Sequence, residues 1–332
     1  MANLYLTEQG SMLRKTGERI IVQKDEEILL DVPCHKVEAV LIFGNVQVTT
    51  QALHELFEHG IELALLTRTG RLIGQLTSPA TKNIELRIEQ FRRYWEEEFR
   101  LGLSRIFVQG KIGNGLNLLR SFSYNHPECD LASEMGQMKS SLTEAPAAAD
   151  IGVLMGIEGN AARRYFAGFA KMMRGPFTFE GRRKHPAPDP VNALLSFGYT
   201  LVFNEISSLL DGLGFDPYLG YFHSVEYGRA SLASDLLEEF RASIDRFTLY
   251  LINNNVFKEE DFYTNPKGEG VYLTRESLKR YFLQYERQLN HEFTHPDTGE
   301  NKTLRKCFRF QAEKLASHIR GGPPYTTFNL AV

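Results

Sequence analysis

The sequence is short of several things, and each shortage excludes something. It has three cysteines, Cys34, Cys129 and Cys307, scattered and odd in number. That argues against a disulfide framework or a cysteine zinc site and suits a reducing, cytoplasmic setting. No run approaches the ~20 uninterrupted apolar residues of a membrane span, so no membrane association is expected. Met1-Ala2-Asn3-Leu4-Tyr5 is not a basic segment leading into an apolar one, and no secretory signal is expected. There is no internal repeat and no low-complexity tract. Neither sign of charge dominates: the formal net charge is −3. As a total, that value argues against a nucleic-acid partner. What is present is a 332-residue chain, 42% hydrophobic and 24% charged, long enough for about two globular domains.

The first ~80 residues read as short strands with turn punctuation. Candidates are Ala2 to Leu6, Met12 to Arg14, Glu18 to Val22, Glu27 to Asp31, Ala39 to Phe43, Glu62 to Leu66 and Arg71 to Leu76. One helix interrupts them, capped by Thr49 or Thr50 and ended by Gly60. Ser78-Pro79 marks a break. Beyond Asn83 the pattern is helical almost everywhere, with one long helix expected over Ile84 to Val108. Asp150 caps a helix to about Met173. Asp189-Pro190 opens another that ends near Gly212 or Gly214. Ser231 starts one that runs to Asn253, and two more span Arg275 to Glu292 and Lys302 to Ile319. The expected class is α+β: a small β domain, residues 1–78, followed by a larger all-α domain, residues 83–332.

Two motifs attract attention and lose it. His291-Glu292-Phe293-Thr294-His295 matches a zinc-protease pattern, which needs both histidines one turn apart on a helix. Pro296 follows directly and disfavours helix at His295, so a zinc protease is a minor alternative. Gly110-Lys111-Ile112-Gly113-Asn114-Gly115 lacks the Gly-Lys-Ser/Thr ending of a phosphate loop and reads as a loop or helix punctuation.

The acids are more informative. On the wheel of the helix from Ile151, Glu158 falls in the middle of an apolar side made by Ile151, Leu154, Met155, Ala162, Tyr165 and Phe169. A carboxylate there is costly unless paired, protonated or bound to a metal. Asp235 and Glu238 share a face of the helix from Ser231, opposite its apolar stripe, which by itself reads as a solvated face. Yet Glu205 to Asp245 holds eight acids against Arg229 and Arg241. Acid without compensating base is what a divalent cation needs, and His223, in the loop just before, could complete a mixed oxygen/nitrogen set.

The bases cluster as well. Arg163, Arg164, Lys171, Arg174, Arg182, Arg183 and Lys184 crowd Asn160 to Pro190, and a second basic stretch runs from Asn301 to Arg320. Tyr165, Phe166, Phe177, Phe179, Phe308 and Phe310 interleave with them. Such patches suit a phosphate backbone and unstacked bases.

These pieces stand in a particular order. Gly156-Ile157-Glu158-Gly159-Asn160-Ala161-Ala162-Arg163-Arg164-Tyr165-Phe166 comes first, then Arg182-Arg183, then Val191-Asn192-Ala193-Leu194-Leu195. Asp216-Pro217-Tyr218-Leu219-Gly220-Tyr221-Phe222-His223 follows, and Gly228-Arg229-Ala230-Ser231-Leu232-Ala233-Ser234-Asp235-Leu236-Leu237-Glu238 closes the series. In this the chain resembles the CRISPR adaptation integrase family, metal-dependent DNases of CRISPR immunity, over nearly its whole length. The resemblance implies Mg²⁺ or Mn²⁺ held by Glu158, His223 and Glu238, with Asp235 as an accessory acid and Asn192 near the site. Asn114-Gly115 departs from the Asn-Gln that family members often carry. The resemblance also implies a homodimer formed through the β domain and bridging by a small ferredoxin-like adaptation partner protein. It implies DNA as substrate, both foreign fragments and the CRISPR repeat, in a prokaryotic cytoplasm. The expected reaction is attack of a fragment's 3′-OH on a repeat-boundary phosphodiester, with Arg163, Arg164, Lys171, Arg174, Arg182, Arg183, Lys184, Arg229 and Arg241 as candidate DNA contacts. The other alternative is a non-catalytic DNA-binding scaffold in which Glu158 is only an ion-pair partner.

Overall fold

Short apolar-polar alternations separated by tight turns build sheets, and they do so at the start of this chain. A computed structural model describes residues 2–68, 70, 72–76, 83–183, 186–265 and 270–330. The Ser78-Pro79 break and Lys184 lie outside the described residues. The chain divides into two compact units, Met1–Ala80 with Arg275–Glu286, and Thr81–Thr274 with Arg287–Val332.

In the first unit the strands are β1 (Ala2–Leu6), β2 (Met12–Thr16), β3 (Arg19–Lys24), β4 (Glu27–Pro33), β5 (Val37–Phe43), β6 (Gln47–Val48), β7 (Glu62–Leu66) and β8 (Leu72–Leu76). They form two four-stranded sheets, ordered β1-β5-β7-β8 and β4-β3-β2-β6. The first is parallel except at its β7–β8 edge. Helix α1 (Thr50–Glu58) is capped by Thr49, whose hydroxyl accepts from Ala52 N at 3.2 Å. Leu13, Ile20, Val40, Leu56 and Leu63 are fully buried between these elements. The segment Arg275–Glu286, which the sequence places with the helical region, counts with this unit. There Phe282 stacks on Tyr5 at 4.1 Å and Tyr5 donates to Glu286 Oε1 at 2.6 Å.

The second unit contains α2 (Ile84–Tyr94), α3 (Glu97–Asn125), α4 (Ala132–Glu144), α5 (Ile151–Lys171), α6 (Pro190–Leu213), α7 (Ser231–Leu237) and α8 (Arg241–Asn253). After these come the strands β9 (Phe262–Thr264) and β10 (Val271–Leu273), and the helix α9 (Arg275–Asn290) that the two units share. Strands β11 (Glu292–Thr294) and β12 (Asn301–Thr303) and helix α10 (Leu304–Ile319) follow. The region is therefore helical but not all-α, since β9–β10 and β11–β12 form small antiparallel hairpins. Three-residue strands carry too little period to be read against a helical background.

Three other differences matter. The helix expected over Ile84 to Val108 is two helices, broken where Glu96 turns extended and its carboxylate takes both Arg92 (2.8 Å) and Arg93 (2.7 Å). Helix α4 is not visible in the sequence pattern. Most important, the helix expected from Ser231 to Asn253 breaks at Glu238 to Phe240. The caps fall as expected elsewhere. Asp150 accepts from Val153 N and Asp189 from Asn192 N, each at 2.8 Å, and Gly214 ends α6 at φ 100°. Helix α6 is long and apolar enough to cross a membrane by length and composition, but 61% of its most apolar window is buried, as in a core helix.

Candidate active site

Breaking the helix after Leu237 turns the expected solvated face inward. Asp235, Glu238, Glu239 and Asp245 are all at most 2% exposed. A buried carboxylate persists only where partners meet its charge, and each of these four has its own set.

Asp235 lies one turn into α7 and faces the loop before it. Its Oδ2 accepts from Tyr221 N (2.6 Å) and Phe222 N (3.0 Å), and its Oδ1 from His223 N (2.9 Å). The His223 Nδ1 is 2.7 Å from the same Oδ1. The loop comes this close because Gly220 has no side chain: a Cβ there would sit 2.7 Å from the Ser231 backbone. Asp235 thus fixes the imidazole by its Nδ1 and leaves Nε2 as the nitrogen for a ligand. Ligating histidines are commonly oriented by a carboxylate in this way.

Glu238 sits in the break itself. Its Oε1 accepts from Arg241 Nε at 2.8 Å, and its Oε2 is 2.5 Å from Lys111 Nζ. Lys111, on α3, also pairs with Glu158 on α5. One ammonium therefore joins two carboxylates from separate elements. Burial alone would raise the Glu238 carboxyl, but Arg241, Lys111 and nearby His223 outweigh it and hold it well below the usual carboxylate range. Burial also works against the Lys111 ammonium, yet Glu238 and Glu158 keep its pKa above that of an ordinary lysine.

Glu158 lines a cavity of about 550 Å³ with Lys111, Arg163, Arg182, Arg241, Tyr165 and Tyr199 among its walls. The guanidinium carbons of Arg241 and Arg182 lie 4.6 and 5.4 Å from the Tyr199 ring centre. Asp245 accepts from the Tyr199 hydroxyl and, at 2.7 Å, from that of Tyr165. Burial, against those hydrogen bonds, pushes the Asp245 carboxyl up to about 6. Asn192 holds Arg182 in place. Its Oδ1 accepts from Arg182 Nη1 and Arg183 N, and its Nδ2 donates to Gly181 O, each at 2.9 Å, while the same Nδ2 donates to Asp189 Oδ2 at 2.7 Å.

Glu239 faces away, toward the C-terminal segment. It accepts from Phe328 N (2.7 Å), Gln311 Nε2 (2.8 Å) and the Tyr325 hydroxyl. Asn114 clasps the same segment through Phe328 O and Leu330 N.

The remaining candidates are more dispersed. Lys171 pairs with Glu134 at 2.6 Å, Arg174 with Glu128, and Arg229 with Glu226 at 3.5 Å. Arg183 is exposed and Arg164 half-buried. The zinc-protease arrangement fails on geometry: Glu292–Thr294 is a strand, so His291 and His295 do not share a helix face. Gly110 to Gly115 is the middle of α3, not a loop. Lys111, set aside in that stretch, is the site residue the sequence did not reveal. Its importance depends on where α5 and the α7–α8 break lie.

Two carboxylates converging on one positive atom, with an oriented imidazole near one of them, form an oxygen/nitrogen donor set that fits Mg²⁺ or Mn²⁺. Among the described residues, the only trio with ligand atoms all within 4.8 Å of one another is Cys34, Glu55 and His59 in the first unit. There Lys15 already meets the charge of Glu55. Glu158, His223 and Glu238 are more widely spaced than that trio, with Lys111 between the two acids.

A family model described as "CRISPR associated protein Cas1" matches residues 4–287. The chain is 37% identical to a "CRISPR-associated endonuclease Cas1 3" of Thermus thermophilus, over 97% of this chain and 95% of that protein. A solved casposase bound to integration product superposes with a TM-score of 0.88 at 20% identity, covering 99% of this chain and 93% of that one. A Cas6-RT-Cas1–Cas2 complex gives a TM-score of 0.84 at 26% identity, covering 100% of this chain and 36% of that one.

Proposed function

The chain belongs to the CRISPR-associated Cas1 family, and on that premise we propose that it is a metal-dependent DNA endonuclease and integrase acting through Glu158, His223 and Glu238. The observation that carries this reading is the convergence of Glu158 and Glu238 on one cationic atom, with His223 held nearby by Asp235.

In this reading the 3′-OH of a short foreign DNA fragment attacks a phosphodiester at a repeat boundary, and the displaced strand end leaves as a new 3′-OH. Water in place of the fragment's hydroxyl gives plain cleavage. Glu158, His223 and Glu238 would hold Mg²⁺ or Mn²⁺, which would supply Lewis-acid stabilisation of charge on the phosphate. Asp235 keeps Nδ1 of His223 occupied, so that Nε2 faces the site. Arg241 keeps Glu238 ionised while it is buried. Arg163 and Arg182 line the adjoining cavity and neutralise the backbone without reading bases. Arg164, Lys171, Arg174, Arg183, Lys184 and Arg229 extend that basic surface.

The partners belong to the same proposal. The β unit mediates a homodimer, and a small ferredoxin-like protein bridges two dimers. The fold shared with a Cas6-RT-Cas1–Cas2 complex supports an assembly of this kind. Its free cysteines suit a prokaryotic cytoplasm.

The test is strand joining and cleavage on a repeat-containing plasmid, with short duplex DNA and Mn²⁺, by Glu158→Ala and His223→Ala variants. Both are expected to lose activity while still binding DNA. Joining at the wild-type rate by either variant would sink the assignment, and full function in Glu158→Gln would favour a DNA-binding scaffold.

A further inference from the structure

We propose that Lys111 is a displaceable cation: it holds Glu158 and Glu238 together in the metal-free protein, gives way to the divalent metal, and then binds the substrate phosphate from the adjoining cavity. This rests on the reading that those two acids hold a metal.

The geometry distinguishes two cations at the site. Arg241 is the fixed one. Its Nε is hydrogen-bonded to Glu238 Oε1 at 2.8 Å, and its guanidinium carbon lies over the Tyr199 ring. A guanidinium held on two sides is anchored. Lys111 is the flexible one: it donates to Glu158 Oε1 and pairs with Glu238 from the end of a four-carbon stem, and its side chain remains 21% exposed. Its contact to Glu238 Oε2 is a 2.5 Å ion pair. That oxygen, though buried, receives no hydrogen bond of regular geometry. The contact is charge against charge, which a divalent ion can replace.

Space puts the two cations in competition: Lys111 Nζ lies against Glu158 Oε1 and Glu238 Oε2, and a Mg²⁺ ion drawing on those oxygens would sit about 2.0–2.1 Å from them. Lys111 also lines the 550 Å³ cavity shared with Arg163, Arg182 and Arg241. Rotation of its stem leaves the displaced charge facing that cavity rather than the core. A phosphodiester entering there meets a positive charge released by metal loading, so metal and DNA binding favour each other.

The test uses the full chain and a Lys111→Met variant. Calorimetric titration with Mn²⁺ alone is expected to show tighter binding by Lys111→Met, by about tenfold, because the metal no longer competes with the ammonium. Without metal the variant is expected to unfold at a lower temperature than wild type, and to regain more of that difference on adding Mn²⁺. At saturating Mn²⁺ its affinity for short duplex DNA falls. Should Lys111→Met be too unstable to titrate, Lys111→Gln, which keeps a donor for the acids, is expected to show the same ordering. Equal or weaker Mn²⁺ binding by the variant overturns the displacement. If neither wild type nor variant binds Mn²⁺, the metal-site reading falls first and the proposal with it.

Discussion

Asp235 and His223 lie twelve residues apart and meet at 2.7 Å through Oδ1 and Nδ1, with three backbone N–H groups of the same loop on the same carboxylate. The acid is both an orienting partner for the imidazole and the anchor of the loop that carries it.

Asp235→Asn keeps the size and removes the charge. Mn²⁺ affinity is expected to fall by about 10–100-fold, the usual effect of losing the group that orients a ligating histidine. Calorimetric titration measures it. Unchanged affinity would show that His223 needs no orienting acid.

Asn192→Ala removes the clasp on Gly181, Arg182 and Arg183. Unfolding free energy is expected to fall by about 1–3 kcal/mol, since buried backbone and side-chain groups lose their partner. The slope of log K against log salt for DNA binding is expected to shrink by about 0.9 for each phosphate contact that Arg182 or Arg183 gives up. Titrations at several salt concentrations check this, and a slope equal to wild type would mean that no DNA contact depends on the Asn192 clasp.

Glu239 predicts a pH effect. Burial, against its hydrogen bonds, raises its carboxyl to about 7 from an ordinary 4.5. Between those values the folded protein holds more protons than the unfolded chain, so this group's contribution to stability declines as pH rises through the window. It is most favourable below 4.5. Glu239→Gln is expected to flatten that decline by on the order of 3 kcal/mol, read as denaturant unfolding across pH. Parallel pH profiles for the two proteins would contradict it.

Phe282 tests the first unit. It stacks on Tyr5 and meets Phe43 at 5.1 Å between ring centres. Phe282→Ala is expected to cost about 3–5 kcal/mol of unfolding free energy, the usual range for a buried phenylalanine. Scanning calorimetry of the full chain measures it, and a loss under about 1 kcal/mol would mean Arg275–Glu286 does not help hold the β sheets.

Much of the fold was legible in the sequence. Strands at β1 and β7, the cap at Thr49, and the caps at Asp150 and Asp189 depend on interactions within a few residues, and local pattern reports local interactions. Glu158 was conspicuous for the same reason: a charge on an apolar helix face is an inconsistency the sequence itself displays. The helix expected through Glu238 was a different matter. Asp235 and Glu238 share a polar face in sequence, and water is the ordinary partner of such a face. The chain instead breaks after Leu237 and buries both. Their partners are His223, Lys111 and Arg241, and Lys111 lies 127 positions before Glu238.

The sequence by itself determined the family and the β-then-helical order, and it singled out Glu158, His223, Asp235 and Glu238 as candidates, because motif order and helical period are properties of a line of residues. The net charge of −3 was a poor guide, since it cancels basic and acidic stretches that lie apart along the chain. Only the tertiary structure decided which charges meet. Burial takes each carboxylate out of water, and a buried charge must find its counter-charge wherever the fold brings one near. That need places the Lys111 ammonium between Glu158 and Glu238, the Arg241 guanidinium against Glu238, and the Asp235 carboxylate behind His223.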